Sequence, residues 1–188
     1  MAAEMHVPQF FLFQKFAMTT NVYRVVAATP DGSPGQLMAM AQQKRMAFKE
    51  QVTFYSDESK TRPVFAFKAR QRMDLNAGYD VTDEAGQPLG FFRKDFGKSL
   101  LRSTFHAEGP GWSSTGQERS QPVAIIRRIV DIPLPIHFDF VEPDGAPLVS
   151  ISRQVSVRDR YTVDVPDPRV DFRMAAALAV GMDALMQR

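Results

Sequence analysis

The run Met174-Ala175-Ala176-Ala177-Leu178-Ala179-Val180-Gly181-Met182 constrains this chain more than any other feature, because a helix wound from it is apolar on every side. A helix lying on a protein surface keeps a polar stripe, so this one must be surrounded. Lipid is not its surroundings: Asp183 interrupts the run, and a membrane span needs about 20 apolar residues. Asp167 predicts an N-cap, Pro168 the first helical position, and Asp171 a carboxylate in the first turn, so the expected helix covers 168–187. Its alanines and glycine keep it thin. A thin helix of about 20 residues, roughly 30 Å long, fits inside a closed β-barrel. A helix buried in an oligomer interface is the competing arrangement, and the oligomeric state stays open.

The rest of the chain supplies the strands for such a barrel. In Val64-Phe65-Ala66-Phe67-Lys68-Ala69-Arg70, residues Phe65, Phe67 and Ala69 share one face and Lys68 and Arg70 the other. The same alternation runs through Val52 to Tyr55, Tyr79 to Asp83, Leu100 to His106, His137 to Val141 and Tyr161 to Val165. Turn residues break these runs about every ten positions, the spacing of antiparallel sandwiches and barrels. The segment Ser114 to Asp131 reads either as a short outer helix or as a strand with its preceding loop.

One hairpin recurs. Tyr79 to Leu89 aligns without gaps to Phe138 to Leu148, with Asp, Gly, Pro and Leu coinciding, and a looser copy joins Tyr23 to Val26, Asp31-Gly32 and Leu37 to Met40. The glycines stand where such turns require positive φ. A sheet of successive hairpins follows, although any antiparallel protein also reuses good turns.

Composition removes whole classes of chemistry. A 188-residue chain with 44% hydrophobic content builds one core and is read as a single domain, 1–188. With no cysteine there are no disulfides, thiolate metal sites or cysteine nucleophiles. His6, His106 and His137 are too few to suggest another metal site, and no G-x-S-x-G, P-loop, G-x-G-x-x-G or H-E-x-x-H motif occurs. We therefore expect no metal, no cofactor and no catalytic residues, a non-enzyme. The acidic stretches Asp80-Asp83-Glu84 and Asp139-Glu142-Asp144 lack the twelve-residue calcium pattern and read as turn chemistry. A net charge of +2 argues against nucleic-acid binding over the whole surface. The patch Phe10 to Phe13 has neither the basic region nor the cleavage site of a signal peptide, so a cytoplasmic protein is expected.

Taken together, Gln14-Lys15-Phe16 ahead of Tyr23-Arg24-Val25, then Pro63 to Arg70, Tyr79-Asp80-Val81 through Gly86 to Gly90, and Asp159-Arg160-Tyr161-Thr162-Val163 leading to Asp171 to Ala176, resemble the tubby C-terminal-like superfamily. Within it the chain is most similar to the LURP-one-related and phospholipid-scramblase-like branch, over most of its length. The resemblance implies an antiparallel barrel of about twelve strands around a C-terminal helix, and a scaffold more than a reaction. Tubby domains bind phosphoinositides through basic residues on the barrel. Scramblases are associated with phospholipid movement and calcium; this chain departs from them in lacking a cysteine-rich palmitoylation region and a membrane-inserting segment.

Lys68, Arg70 and Arg72 alternate along one predicted strand, their charged groups roughly 6 to 7 Å apart, which suits adjacent phosphates of a lipid headgroup. Arg93, Lys94 and Lys98 extend this field if the next hairpin lies alongside. The simpler alternative is that charge on a strand discourages edge pairing. Trp112, in the turn Gly109 to Trp112, is placed either at a bilayer interface or closing the end of the barrel. Arg119, Arg127 and Arg128 read as a solvated helix face. The expected function is peripheral binding of anionic phospholipid headgroups, near a membrane surface; the alternative is a structural or protein-interaction module without lipid binding.

Overall fold

The computed structural model describes residues 5–16, 20–44, 51–70, 78–95, 103–119, 136–154 and 160–186. Twelve strands precede one helix. They are β1 (Gln9–Phe16), β2 (Thr20–Ala28), β3 (Pro34–Lys44), β4 (Gln51–Tyr55), β5 (Pro63–Ala69) and β6 (Tyr79–Asp83), followed by β7 (Pro88–Asp95), β8 (Thr104–Gly109), β9 (Trp112–Glu118), β10 (Ile136–Val141), β11 (Pro147–Gln154) and β12 (Arg160–Asp164). Each strand pairs antiparallel with its sequence neighbours, and β12 returns to β1 with Leu12 opposite Tyr161, so the sheet closes without an edge. The helix α1 (Phe172–Met186) runs up the inside, and Met174 to Asp183 are all buried.

Period two dictates what faces the helix. Phe65 and Phe67 of β5, Val81 of β6, Phe92 of β7 and Phe138 of β10 point inward, each at most 1% exposed. Phe54 stacks on Phe65 at 4.3 Å, and Phe172 at the start of α1 meets Phe10 and Phe65 edge-on, each at 6.4 Å. The helix must be thin to pass between these rings. At Gly181 a Cβ would stand 2.3 Å from two carbons of the Phe92 ring.

The recurring hairpin is a structural repeat. In the turns at Thr29, Asp83 and Glu142 the first residue's carbonyl accepts from the glycine three positions on, at 2.8, 3.1 and 2.9 Å, and its N–H donates to the residue four positions on, at 2.9 Å each time. The three glycines, Gly32, Gly86 and Gly145, have φ of 77°, 79° and 91°. The hairpins are β2–β3, β6–β7 and β10–β11, so the barrel repeats every four strands. Ion pairs repeat with it. Arg70, just after β5, binds Asp80 of β6, and Arg119, just after β9, binds Asp139 of β10, in both cases with two guanidinium nitrogens on one carboxylate.

Two expectations are corrected. The helix starts at Phe172, not at Pro168, because Asp167 and Asp171 are both cap residues and the later one wins. Asp167 accepts the Arg169 N–H and closes a turn there. Asp171 then caps α1: its side chain accepts from the Arg173 N–H at 2.8 Å and its carbonyl from Ala175. Arg119 belongs to no helix face. It follows β9, which occupies 112–118 of the segment left open between helix and strand; 120–135, with Arg127 and Arg128, lies outside the described residues. No helix among the described residues is long and apolar enough to cross a membrane.

Candidate anion-binding face

The outer face of β5 to β9 carries three of the predicted basic residues, Lys68, Arg70 and Arg93. Cross-strand register sets Lys68, Asp80, Phe91, Glu108 and Ser113 in one row, and Arg93, His106 and Thr115 in the next. Lys68 is exposed, with no hydrogen-bond or ion-pair partner among the described residues, and so is Arg93. They lie two strands and two residues apart, about 12 Å between Cα atoms, within joint reach of one headgroup.

Arg70 has a different position. Its guanidinium holds both oxygens of Asp80, at 2.8 to 3.1 Å, and lies 3.7 Å above the Phe91 ring, so it is committed to the sheet surface. Lys94 leaves the opposite face of β7 from Arg93. Its ammonium donates to the Leu185 carbonyl at 2.9 Å, meeting the negative end of α1. The expectation that Arg93 and Lys94 join one basic field is thereby corrected: adjacent residues of a strand point to opposite sides. Arg72 and Lys98 lie outside the described residues. Trp112 is the first residue of β9, 6% exposed, its ring against Gly109, and is turned into the core instead of toward any outer surface.

A shallow groove of about 250 Å³ runs along this face, lined by Phe91, Arg93, His106, Glu108, Ser113 and Thr115. His106 is held from both sides, by Asp95 at Nε2 and Thr115 at Nδ1, 3.2 Å each. With Asp95 accepting the imidazole N–H, the Thr115 hydroxyl donates to the other nitrogen, and the ring is a fully satisfied cross-strand member. Glu108 and Asp95 offset part of the positive charge of Arg93, so the groove itself is mixed in sign.

The acidic stretches are occupied. Asp80 and Asp139 hold arginines, Asp83 accepts two turn amides, from Ala85 and Gln87, and Glu142 takes Arg169. No cluster able to hold a metal ion occurs among the described residues.

Two sites escaped the sequence reading. Lys15, on the outer face of β1, is exposed and without a hydrogen-bond or ion-pair partner among the described residues; a lone lysine in an apolar strand carries no pattern. Asp183 is the other. This buried carboxylate of α1 accepts from Gln14 Nε2 at 2.7 Å and from the Tyr161 hydroxyl, beside Tyr23. Its signal was visible as the charge that ends the apolar run 174–182.

The sequence model of the LURP-one-related family matches residues 38–183, from within β3 to the last turn of α1. Among curated proteins the chain has no match. With the match spanning most of the barrel and its central helix, the chain belongs to the LURP-one-related family, within the tubby-like C-terminal superfamily.

Proposed function

We propose that this protein is a non-enzymatic binding module that engages anionic phospholipid headgroups peripherally, through Lys68 and Arg93 on the outer face of β5 to β7. The observation that carries this reading is the pair of exposed cations, unpartnered among the described residues, on a closed sheet. Arg70 supports the site without supplying a free charge, because the Asp80 carboxylate already takes its donors. A phosphate group bridging Lys68 and Arg93 has its charge met without breaking any ion pair of the sheet.

Co-sedimentation with phosphatidylcholine vesicles, with and without phosphatidylserine, tests it. The expected result is binding to the anionic vesicles alone, weakened by salt and by Lys68→Glu with Arg93→Glu. Absence of binding at low salt overturns the proposal. A second reading, docking of a polypeptide partner, is favoured by one observation: the groove combines Phe91 with Arg93 and Glu108, a mixed lining that suits a peptide better than a phosphate.

A further inference from the structure

We infer that the headgroup taken by the outer face of β5 to β9 carries a primary ammonium: Glu108 holds the amine while Lys68 and Arg93 hold the phosphate. This rests on the headgroup reading above and names the chemistry it selects, a phosphate ester with an aminoethyl arm, as in phosphatidylethanolamine and phosphatidylserine.

Glu108, in β8, is exposed and has no hydrogen-bond or ion-pair partner among the described residues. The neighbouring carboxylates of this face are taken, Asp80 by Arg70 and Asp95 by His106. Register sets Glu108 opposite Phe91, so it stands one strand and two residues from Arg93, about 8 Å between Cα atoms. The two charges form no ion pair with each other; both line the same groove of about 250 Å³. One wall of this groove thus offers a cation and another offers an anion.

A bare phosphate placed there meets Arg93 on one side and the like charge of Glu108 on the other, which weakens its binding. A primary ammonium on the same ligand turns that repulsion into a charge-assisted hydrogen bond. Phe91 and Pro143 add apolar lining for the methylenes that join the two charged groups. A quaternary ammonium is served badly. It has no N–H to donate to Glu108, and the aromatic face that would hold it, that of Phe91, is already covered by the Arg70 guanidinium at 3.7 Å. The groove therefore separates ethanolamine from choline headgroups, although the two have equal charge.

Vesicles with a fixed share of phosphatidylglycerol test this, the remainder being either phosphatidylcholine or phosphatidylethanolamine, so that net charge is constant. The intact chain should bind the ethanolamine vesicles about fivefold more tightly, the gain of one exposed ion pair. Glu108→Gln, a near-isosteric change at an exposed position, should remove the difference. Calorimetric titration with soluble phosphoethanolamine separates a lipid from a free aminophosphate. Wild-type binding to the ethanolamine vesicles that is equal or weaker, or a preference that survives Glu108→Gln, overturns the ammonium assignment and leaves the headgroup reading standing. A wild type that ignores both vesicles yet binds phosphoethanolamine, with loss in Glu108→Gln, overturns the headgroup reading and leaves the ammonium assignment standing. Silence toward all three probes, or phosphoethanolamine binding without vesicle binding that Glu108→Gln leaves intact, overturns both.

Discussion

Replacing Gly181 by alanine tests the central claim of the fold, because the expected sign depends on where the helix lies. On an exposed helix Gly→Ala stabilises by about 1 kcal/mol. Here the new methyl would stand 2.3 Å from Cε2 and Cζ of Phe92, where carbon atoms in contact are normally about 3.5 to 4.0 Å apart. Phe92 cannot retreat: it is fully buried, stacked on Tyr79 at 5.2 Å and edge-on to Phe67 at 5.7 Å. Overpacking of a tight core costs about 1–3 kcal/mol, and an overlap this deep belongs at the upper end. After subtracting the gain in helix propensity, the net loss is about 2 kcal/mol, a fall in Tm of about 4–8 °C for a chain of this size. Calorimetry or urea unfolding followed by circular dichroism reads it. Phe92→Leu in the same chain makes room for the methyl, so the double variant should be more stable than the two single losses predict, by about 1 kcal/mol. A Gly181→Ala protein as stable as the wild type, or more so, refutes the packing of α1 against β7.

Removing the buried carboxylate by Asp183→Ala takes an acceptor from both the Gln14 amide and the Tyr161 hydroxyl inside the barrel, and the urea midpoint should report a loss of about 2 kcal/mol. Arg70→Ala and Arg119→Ala remove equivalent members of the repeat, both solvent-exposed; each should cost no more than about 1 kcal/mol by thermal unfolding, and about the same amount. Burial, reinforced by the nearby Asp183 charge, pushes the Tyr23 phenol up. Its contribution is present below the unfolded tyrosine value of about 10 and declines as pH rises above it, so alkaline unfolding monitored by circular dichroism should be less steep in Tyr23→Phe. The Arg119 guanidinium holds the Asp139 carboxyl below the usual range, which makes its contribution complete above about pH 4 and lost as the pH falls through the lowered value; Asp139→Asn should flatten acid unfolding.

The sequence was most legible where a pattern has one physical solution. An apolar run on every side of a helix admits only enclosure, and alternation of Phe65, Phe67 and Ala69 with Lys68 and Arg70 admits only a strand wet on one face. The Asp and Gly spacing around Gly86 and Gly145 likewise specified turns, and both glycines have positive φ in turns of the same hydrogen-bond pattern. Where two local solutions compete, as with the cap residues Asp167 and Asp171, reading along the chain favoured the first, whereas the contact of Asp171 with the Met5 amide and the Arg173 side chain favours the second.

Antiparallel strands and a helix surrounded by protein were thus legible in the sequence alone, since both follow from side-chain periodicity; a barrel instead of a sandwich, with the helix inside it instead of in an oligomer interface, was decided by the closure of β12 on β1. Which cations are available to a ligand was decided only by tertiary structure. Arg70 is taken by Asp80 and Lys94 by the end of α1, while Lys15, Lys68 and Arg93 are left exposed, because strand register, not sequence distance, selects each neighbour.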